Sequence, residues 1–161
     1  MKEEMNLQHL KWTKSINPKD GRLWAYDDFS ISHLLKLAWK KGDDINASKP
    51  EREDLILLRQ KGYVTHLVKV LDYKPEHESG DSVFNLYRIV EVLWVVDWSK
   101  LPESAKADEV FGYLLHLEGG KVMHLESMPT FQDYWSGRGG LAAFHQQVDV
   151  ALNLAQGLLP S

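Results

Sequence analysis

The pattern of hydrophobic residues in the middle of the chain predicts a β-hairpin, and this constrains the fold more than any other feature. Residues 55–58 form a short apolar run, residues 59–62 have the composition of a turn, and residues 63–71 alternate β-branched and polar side chains. Two such runs around a short turn are typical of paired strands. On the second strand we expect one face to carry Val64, His66, Val68 and Val70.

The longest predicted strand spans residues 86–96, and its side chains are almost all apolar. A nearly continuous apolar run is expected where a strand is buried on both faces or belongs to a closed, curved sheet. Between the hairpin and this strand, residues 74–82 are rich in Pro, Glu, Gly and Asp, which predicts an exposed loop.

A second hairpin is predicted over residues 114–125, because Gly119 and Gly120 at its centre can adopt positive φ. In that register His116 and His124 project from opposite faces, which argues against a metal ion shared between them. His66 lies among valines, which favours a hydrogen-bonded core or rim histidine over a ligand or a base.

Two amphipathic helices are predicted, one on each side of the strand-rich region. The first begins near Asp28 or Ser30 and ends at Lys41, before Gly42. Its apolar face is formed by Ile31, Leu34, Leu35 and Ala38. The second helix spans about residues 139–159, where apolar side chains recur at helical spacing.

A helix, five or six strands and a final helix predict an α+β fold. We expect a small, mostly antiparallel curved sheet or β-barrel with peripheral helices. A length of 161 residues is typical of a single domain, here residues 1–161. A chain of this size buries roughly 70% of its unfolded surface without the help of a metal or a disulfide.

The composition and motifs exclude several classes of protein. The sequence contains no cysteine, which removes disulfides, thiolate metal sites and cysteine nucleophiles. No glycine-rich nucleotide motif, nucleophile elbow or zinc-protease motif occurs, so no catalytic residue, metal site or cofactor is predicted. No apolar run reaches the roughly 18 residues of a membrane span, and residues 1–10 are not signal-like, so we expect a cytoplasmic protein without a membrane partner.

Charge is distributed unevenly along the chain. Residues 1–71 carry 13 Lys and Arg against 10 Asp and Glu, whereas residues 72–161 carry 6 against 13. The net charge of −4 excludes a uniformly basic surface for binding duplex nucleic acid. It is compatible with a local basic groove built from residues of the first half. An ordinary solvated surface with unequal charges is the simpler interpretation.

Aromatic side chains are the strongest functional signal. The chain contains six tryptophans, and proteins use aromatic side chains beside polar or basic ones to stack flat ligands and unpaired bases. Trp24 and Tyr26 lie in a polar segment, with Lys14, Ser15 and Asn17 a few residues earlier. The alternative interpretation is that these aromatic side chains fill the core.

Three short segments carry a resemblance to a known superfamily. They are Trp12, Thr13, Lys14, Ser15, Ile16, Asn17 and Pro18, then Glu53, Asp54, Leu55, Ile56, Leu57 and Leu58, then residues 62–70. Their order resembles the PUA-like superfamily and, within it, the EVE type of domain, which is related to the YTH and ASCH domains. The resemblance covers about residues 10–98.

The resemblance implies a small β-barrel that recognises nucleic acid, either DNA or RNA, often through a modified or flipped-out base in an aromatic pocket. It implies that Lys14, Ser15 and Asn17 line the mouth of this pocket. Trp24 or Tyr26 would then form the stacking wall. The first interpretation of the chain is therefore a non-enzymatic binding module.

Two other functions stay open. One is a small ASCH-like hydrolase acting on a nucleoside or RNA, with Thr65, Lys69 and Glu91 as candidate residues. Thr65 and Lys69 share a strand face, but four residues of strand separate them by roughly 13 Å, which is too far for direct proton transfer. The other is a protein-interaction or assembly subunit whose exposed aromatic residues form an interface.

The strand predicted at residues 86–96 can be tested by Val92→Asp. If this strand is central, the variant should unfold, because an unpaired buried carboxylate costs several kcal/mol and the whole domain is stable by only about 5–15 kcal/mol. Urea denaturation followed by circular dichroism measures the effect. A cooperatively folded variant with a near wild-type midpoint would remove this strand from the core.

Overall fold

The computed structural model describes residues 6–18, 21–80, 82–115 and 120–154. Within them the strands are β1 (Leu10–Ser15), β2 (Leu34–Trp39), β3 (Leu55–Gln60), β4 (Tyr63–Val70), β5 (Glu76–His77), β6 (Leu86–Val95) and β7 (Val122–His124). The helices are α1 (Asp44–Ala47), α2 (Ala107–Phe111), α3 (Pro129–Trp135) and α4 (Gly140–Ala151). Short 3-10 helices occur at Leu7–His9, Glu103–Ala105, Leu125–Ser127 and Ser136–Arg138. None of the described helices is long and apolar enough to cross a membrane.

The predicted central hairpin is confirmed. β3 and β4 are antiparallel, and they turn at Lys61 and Gly62, which both have positive φ. The register shifts between β3 and β4 and again between β4 and β6. The first of these shifts leaves Thr65 as an extra residue of β4 between Val64 and His66, so Val64 packs on one side of the sheet, whereas Val68 and Val70 pack on the other. The prediction that these valines share a face is therefore wrong for Val64.

The strands form a mixed sheet that curls into a half-barrel, in the order β2-β6-β4-β3-β1-β7, and β5 adds a short pairing to β6. The fold is α+β with a curved sheet, as predicted. The sheet is mixed rather than mostly antiparallel, because β1 and β3 run parallel. These two strands are joined by a long crossover that contains β2 and α1, whereas a tight hairpin would have made them antiparallel.

The two faces of the sheet carry separate hydrophobic clusters. The first cluster lies under α2, α3 and α4, and it includes Leu10, Leu57, Leu67, Phe111, Phe131 and Phe144. The second fills the inside of the curl, and it includes Trp12, Leu37, Trp39, Ile56, Val68 and Val92. β6 is buried at alternate positions and partly buried between them along most of its length, which fits the predicted curved sheet.

The first predicted helix is wrong, because residues 34–39 form the outer strand β2. Leu35, Leu37 and Trp39 are buried, while Lys36 between them is exposed. This two-residue period lets the segment pair with β6 and bury three large side chains inside the curl. Strand pairing has overridden a helical spacing that the local sequence also satisfies.

The second predicted hairpin is not found among the described residues, because Leu114 and Leu115 belong to no strand and β7 pairs with β1. Residues 116–119, which include His116 and Gly119 of the predicted hairpin, lie outside the described part of the chain. β1 pairs with β3 along one edge, and its other edge pairs with β7. The predicted last helix corresponds to α4, and its residues 155–159 lie outside the described part of the chain. α3 was not predicted, although Pro129 at its first turn is a common helix start.

A buried amide links the two ends of the curled sheet. The Oδ1 atom of Asn46 in α1 accepts hydrogen bonds from Trp39 Nε1 on β2 (2.8 Å) and from Val122 N on β7 (2.7 Å). Its Nδ2 atom donates to the Val122 carbonyl (3.0 Å). The Asn46 side chain therefore pairs with Val122 as a neighbouring strand would. Since β2 and β7 are the outer strands of the order, this amide bridges the gap in the half-barrel.

A buried arginine holds the end of α1 against the sheet. Arg88 on β6 is fully buried, and it donates to the carbonyls of Ala47 (2.8 Å) and Pro50 (2.7 Å). Its Nε atom also donates to the Asp72 carboxylate (2.6 Å), which compensates the buried charge. These contacts fix the backbone that places Asn46 in the gap.

The role of Asn46 can be tested by Asn46→Ala. The substitution leaves Trp39 Nε1 and both peptide groups of Val122 without their partner, so the free energy of unfolding should fall by about 2–4 kcal/mol. Asn85→Ala is the matched control, because Asn85 Oδ1 is buried without a hydrogen-bond partner among the described residues. Urea unfolding measures both variants. Equal stability losses in the two would show that the bridge contributes nothing.

Candidate functional site

A cleft of about 310 Å³ opens beside β2 and β6. Ala38 and Tyr87 are partners across these two strands and both line the cleft, and Leu86 next to Tyr87 lines it as well. Aromatic side chains from flanking segments complete the lining, namely Tyr26, Phe29 and Phe84. This volume is at the lower end of the range of about 300–1,000 Å³ that small-molecule sites occupy.

The segment of residues 22–29 is held beside the cleft by a second buried amide. Gln60 Oε1 accepts a hydrogen bond from Ala25 N (2.7 Å), and Gln60 Nε2 donates to the Ala25 carbonyl (3.0 Å). Gln60 thereby satisfies both peptide groups of Ala25. The following residue, Tyr26, has its carbonyl 3.0 Å from His66 Nε2. The backbone on which the Tyr26 ring stands is therefore anchored at two successive residues.

Tyr26 is also held at the other end of its side chain. Its hydroxyl donates to the Lys36 carbonyl (3.1 Å) and accepts from Ala38 N (3.2 Å), both on β2. Burial raises the pKa of the Tyr26 hydroxyl, so it stays protonated and able to donate. The residue adopts φ of 54°, which is uncommon for a side chain of this size. These contacts fix the ring in the cleft wall.

His66 is a core residue, as predicted. It is fully buried, and its Nδ1 atom lies 2.9 Å from Thr65 Oγ1, which in turn accepts a hydrogen bond from Gln60 Nε2 (3.0 Å). Burial lowers the pKa of His66 to about 4. The ring is therefore neutral at physiological pH, with Nε2 donating to the Tyr26 carbonyl and Nδ1 accepting from Thr65.

A small recess of about 60 Å³ adjoins the cleft and contains Lys14. Only 3% of Lys14 is exposed, and its ammonium lies 4.8 Å from the centre of the Trp39 ring. Asn17, Tyr26 and Ala38 line both the recess and the cleft. With Ser15, which also lines the recess, four of the five binding residues predicted from the sequence come together here.

Trp24, the fifth predicted residue, does not line the cleft or the recess. Its ring packs against Trp98 (5.4 Å between centres) and Tyr63 (6.3 Å), and the Lys61 ammonium lies 4.9 Å from it. Tyr26 is thus the one of the two predicted stacking residues that the structure places at the cleft. The conformation between Trp24 and Tyr26 is determined by Gln60 and His66, which local sequence does not indicate.

The charged residues at the cleft are paired with opposite charges. Lys36 Nζ lies 2.6 Å from Glu78 Oε1, and Arg22 forms ion pairs with Asp27 and Asp28. Hydrogen bonding to Glu78 raises the pKa of Lys36. The cleft rim therefore carries no large excess of positive charge, and aromatic rings make up much of the cleft lining.

The hydrolase candidates are not assembled into a nucleophilic site. Lys69 and Glu91 are neighbours on β4 and β6, with Lys69 Nζ 4.0 Å from Glu91 Oε1. Thr65 is fully buried and hydrogen-bonded to Gln60, so its hydroxyl is closed to a substrate. The structure brings two of the three residues together and keeps the third inside the sheet.

Three aromatic cleft residues were missed from the sequence: Phe29, Phe84 and Tyr87. Tyr87 could have been found, because it alternates with buried residues on a strand that the sequence predicted correctly. Phe29 was assigned to the start of a helix that does not form. Phe84 reaches the cleft from the connection before β6, and no local pattern marks it.

The buried state of His66 predicts a pH dependence of stability. An unfolded chain binds a proton at His66 below about pH 6.5, whereas the folded protein resists protonation until about pH 4. The contribution of neutral His66 to the free energy of unfolding is therefore fully present above about pH 6.5. It is lost as the pH falls from there towards about pH 4. Between about pH 7 and about pH 4.5 the loss is about 2–3 kcal/mol.

Urea unfolding of wild type and His66→Gln at these two pH values measures the effect. The variant should lose less stability on acidification than the wild type, by about the amount given above. The assignment would fail if the two proteins lost stability equally.

The described residues contain no group of three His, Asp or Glu side chains that could hold a metal ion. Comparison of the chain with protein-family models, with curated proteins and with solved structures finds no match.

Proposed function

We propose that the protein is a non-enzymatic binding module that takes one unstacked nucleobase of a DNA or RNA strand into the cleft beside Tyr26. The observation that supports this proposal is the convergence of four aromatic rings on one cavity of about 310 Å³. The rings belong to Tyr26, Phe29, Phe84 and Tyr87. Polar groups that suit the edge of a base lie at the same place.

The aromatic rings are held in position before a ligand arrives. Tyr26 is anchored by its carbonyl and its hydroxyl, and Tyr87 stands on the long strand β6 with Lys36 Nζ 4.8 Å from its ring centre. A ring that is already ordered loses little conformational entropy on binding. Stacking of a base on such a ring contributes roughly 1–3 kcal/mol and tolerates any base, since each has a flat face.

Asn17 provides the means to distinguish one base from another. It is exposed where the cleft meets the recess, and its amide carries both a donor and an acceptor. Donor and acceptor groups on the edge of a base are what proteins read to identify it. Lys14, in the recess next to Asn17, adds a cationic donor for which a carbonyl oxygen or ring nitrogen is the matching acceptor.

The charge of the molecule favours a single strand over a duplex. Bases in a duplex are stacked and paired, so a cleft of this shape can accept only a base that is already free or has been flipped out. The paired charges at the rim leave few cations for phosphates, and only the first half of the chain is net positive. Binding should therefore be weak and salt-sensitive, with a small number of phosphate contacts.

Substitution of Tyr87 tests the proposal. Tyr87→Leu keeps an apolar side chain but removes the aromatic face, so the affinity for a short single-stranded oligonucleotide should fall about tenfold. Tyr73→Leu is the matched control, since Tyr73 is 83% exposed, lies outside the cleft and also has a cation over its ring, that of Arg52. Fluorescence anisotropy with labelled DNA and RNA of mixed sequence at low salt measures both.

The control should bind as the wild type does. A wild-type protein that binds neither DNA nor RNA would contradict the proposal. So would an equal loss of affinity in Tyr87→Leu and Tyr73→Leu.

A further inference from the structure

A second cavity, of about 190 Å³, lies next to the cleft near the ends of β1 and β3. Asn17 lines the cleft, the recess and this cavity, and Ser15 lines the recess and this cavity. Arg59, Lys61 and Asp108 are among its other lining residues. The two cavities are therefore separated by the thickness of one short segment, residues 15–17.

Arg59 is buried in an unusual way for an arginine. It is 7% exposed, and its Nε atom donates to Thr13 Oγ1 (2.8 Å), whose hydroxyl donates onward to the Leu57 carbonyl. Its two terminal amino groups have no hydrogen-bond partner among the described residues, and no described carboxylate lies within ion-pair distance of them. A buried guanidinium in this state still has donors for a ligand, in a fork that matches a tetrahedral or planar oxyanion.

Arg88 shows what a fully compensated buried arginine looks like in this protein. Its guanidinium donates to three carbonyls and a carboxylate. Arg59 has one neutral hydroxyl instead, and burial lowers its pKa to about 10, which still leaves it charged at physiological pH. The contrast indicates that Arg59 is arranged for an anion that comes from outside the chain.

Tyr113 provides a second, independent sign of a missing polar partner in this region. Its hydroxyl is buried and has no hydrogen-bond partner among the described residues. It lies near enough to Arg59 for the charge on Arg59 to lower the pKa of the hydroxyl, although burial outweighs this and raises that pKa to about 12. Unsatisfied buried polar groups are rare in folded proteins, and this one lies near a guanidinium whose terminal nitrogens also have no partner among the described residues, which points to an absent acceptor.

We propose that Arg59 binds one phosphate group in this cavity, and that this is the phosphate next to the base held in the Tyr26 cleft. The inference rests on the proposed function for the identity of the ligand. It adds that the site recognises a nucleotide rather than a free base. Asn17, which borders both cavities, and Ser15, which borders the recess and the second cavity, would then lie along the sugar that joins base and phosphate.

The charged residues around the cavity suit the binding of a single phosphate group. Asp108 lines the cavity, but one of its oxygens is engaged by the Leu115 backbone N–H (3.2 Å). Lys61 lines it from the hairpin turn, and its ammonium is hydrogen-bonded to the Leu23 carbonyl. Arg59 is therefore the principal cationic donor, and it accounts for a single charge-assisted contact.

The first experiment uses inorganic phosphate and the whole chain. Phosphate should raise the melting temperature of the wild type more than sodium chloride at the same ionic strength, because an anion that binds only the folded state stabilises it. Arg59→Gln and Arg59→Lys should lose this increment, since neither offers the bidentate fork. Arg52→Gln is the matched control, because Arg52 is exposed outside the cavity, and it should keep the increment.

The second experiment does not depend on the folding of an Arg59 variant. The wild type should bind a nucleoside 5′-monophosphate at least about tenfold more tightly than the matching nucleoside, since a hydrogen bond to a charged group contributes about 1.5–3 kcal/mol. For the oligonucleotide, Arg59→Gln should lower the affinity by a similar factor and reduce the salt slope by about 1.

The outcomes separate this inference from the proposed function. No phosphate-specific stabilisation of the wild type, or its persistence in Arg59→Gln, overturns the assignment of Arg59. Equal affinity for nucleoside and monophosphate overturns it as well, even where Tyr87→Leu shows that the cleft binds bases. Phosphate stabilisation that depends on Arg59, in a protein that binds no oligonucleotide, supports the anion site and overturns only its link to a nucleic acid.

Discussion

The fold depends on buried side-chain amides that replace missing strand neighbours. The open edges of a curled sheet carry peptide groups that lose free energy if they leave water without gaining partners. Asn46 pairs with both peptide groups of Val122, and Gln60 pairs with both peptide groups of Ala25. These two residues allow the sheet to stop short of a closed barrel, and they hold the segment of residues 22–29 beside it.

The candidate site follows from this incomplete closure. The Tyr26 hydroxyl satisfies the free edge of β2, so the interaction that stabilises the edge also fixes the ring that forms the cleft wall. The positive φ of Tyr26 is compensated by the contacts of its carbonyl with His66 and of its hydroxyl with β2. The neighbouring strands β1 and β3 each supply one cation near their ends, with Lys14 of β1 in the recess and Arg59 of β3 in the second cavity.

Alternation and turn residues were enough to predict the central hairpin, the long strand β6, the α+β class and the curved sheet. β2 could not be predicted, because its apolar residues satisfy a helical and a strand period alike, and only pairing with β6 buries Trp39. The proximity of Lys14, Asn17 and Tyr26 was predicted from a motif and its position in the chain. The displacement of Trp24 depends on contacts across many residues, which no local pattern encodes. The PUA-like resemblance and the nucleic-acid partner stay predictions.

Mapping the ligand onto the protein by NMR tests the central claim most directly. Amide signals of the uniformly labelled protein would be followed while a short single-stranded oligonucleotide is added. The proposed function predicts that the largest shifts occur at Tyr26, Ala38 and Tyr87, with smaller ones at the ends of β1 and β3. Shifts confined to α2, α3 and α4, or no shifts at any concentration of oligonucleotide, would show that the cleft does not bind a base.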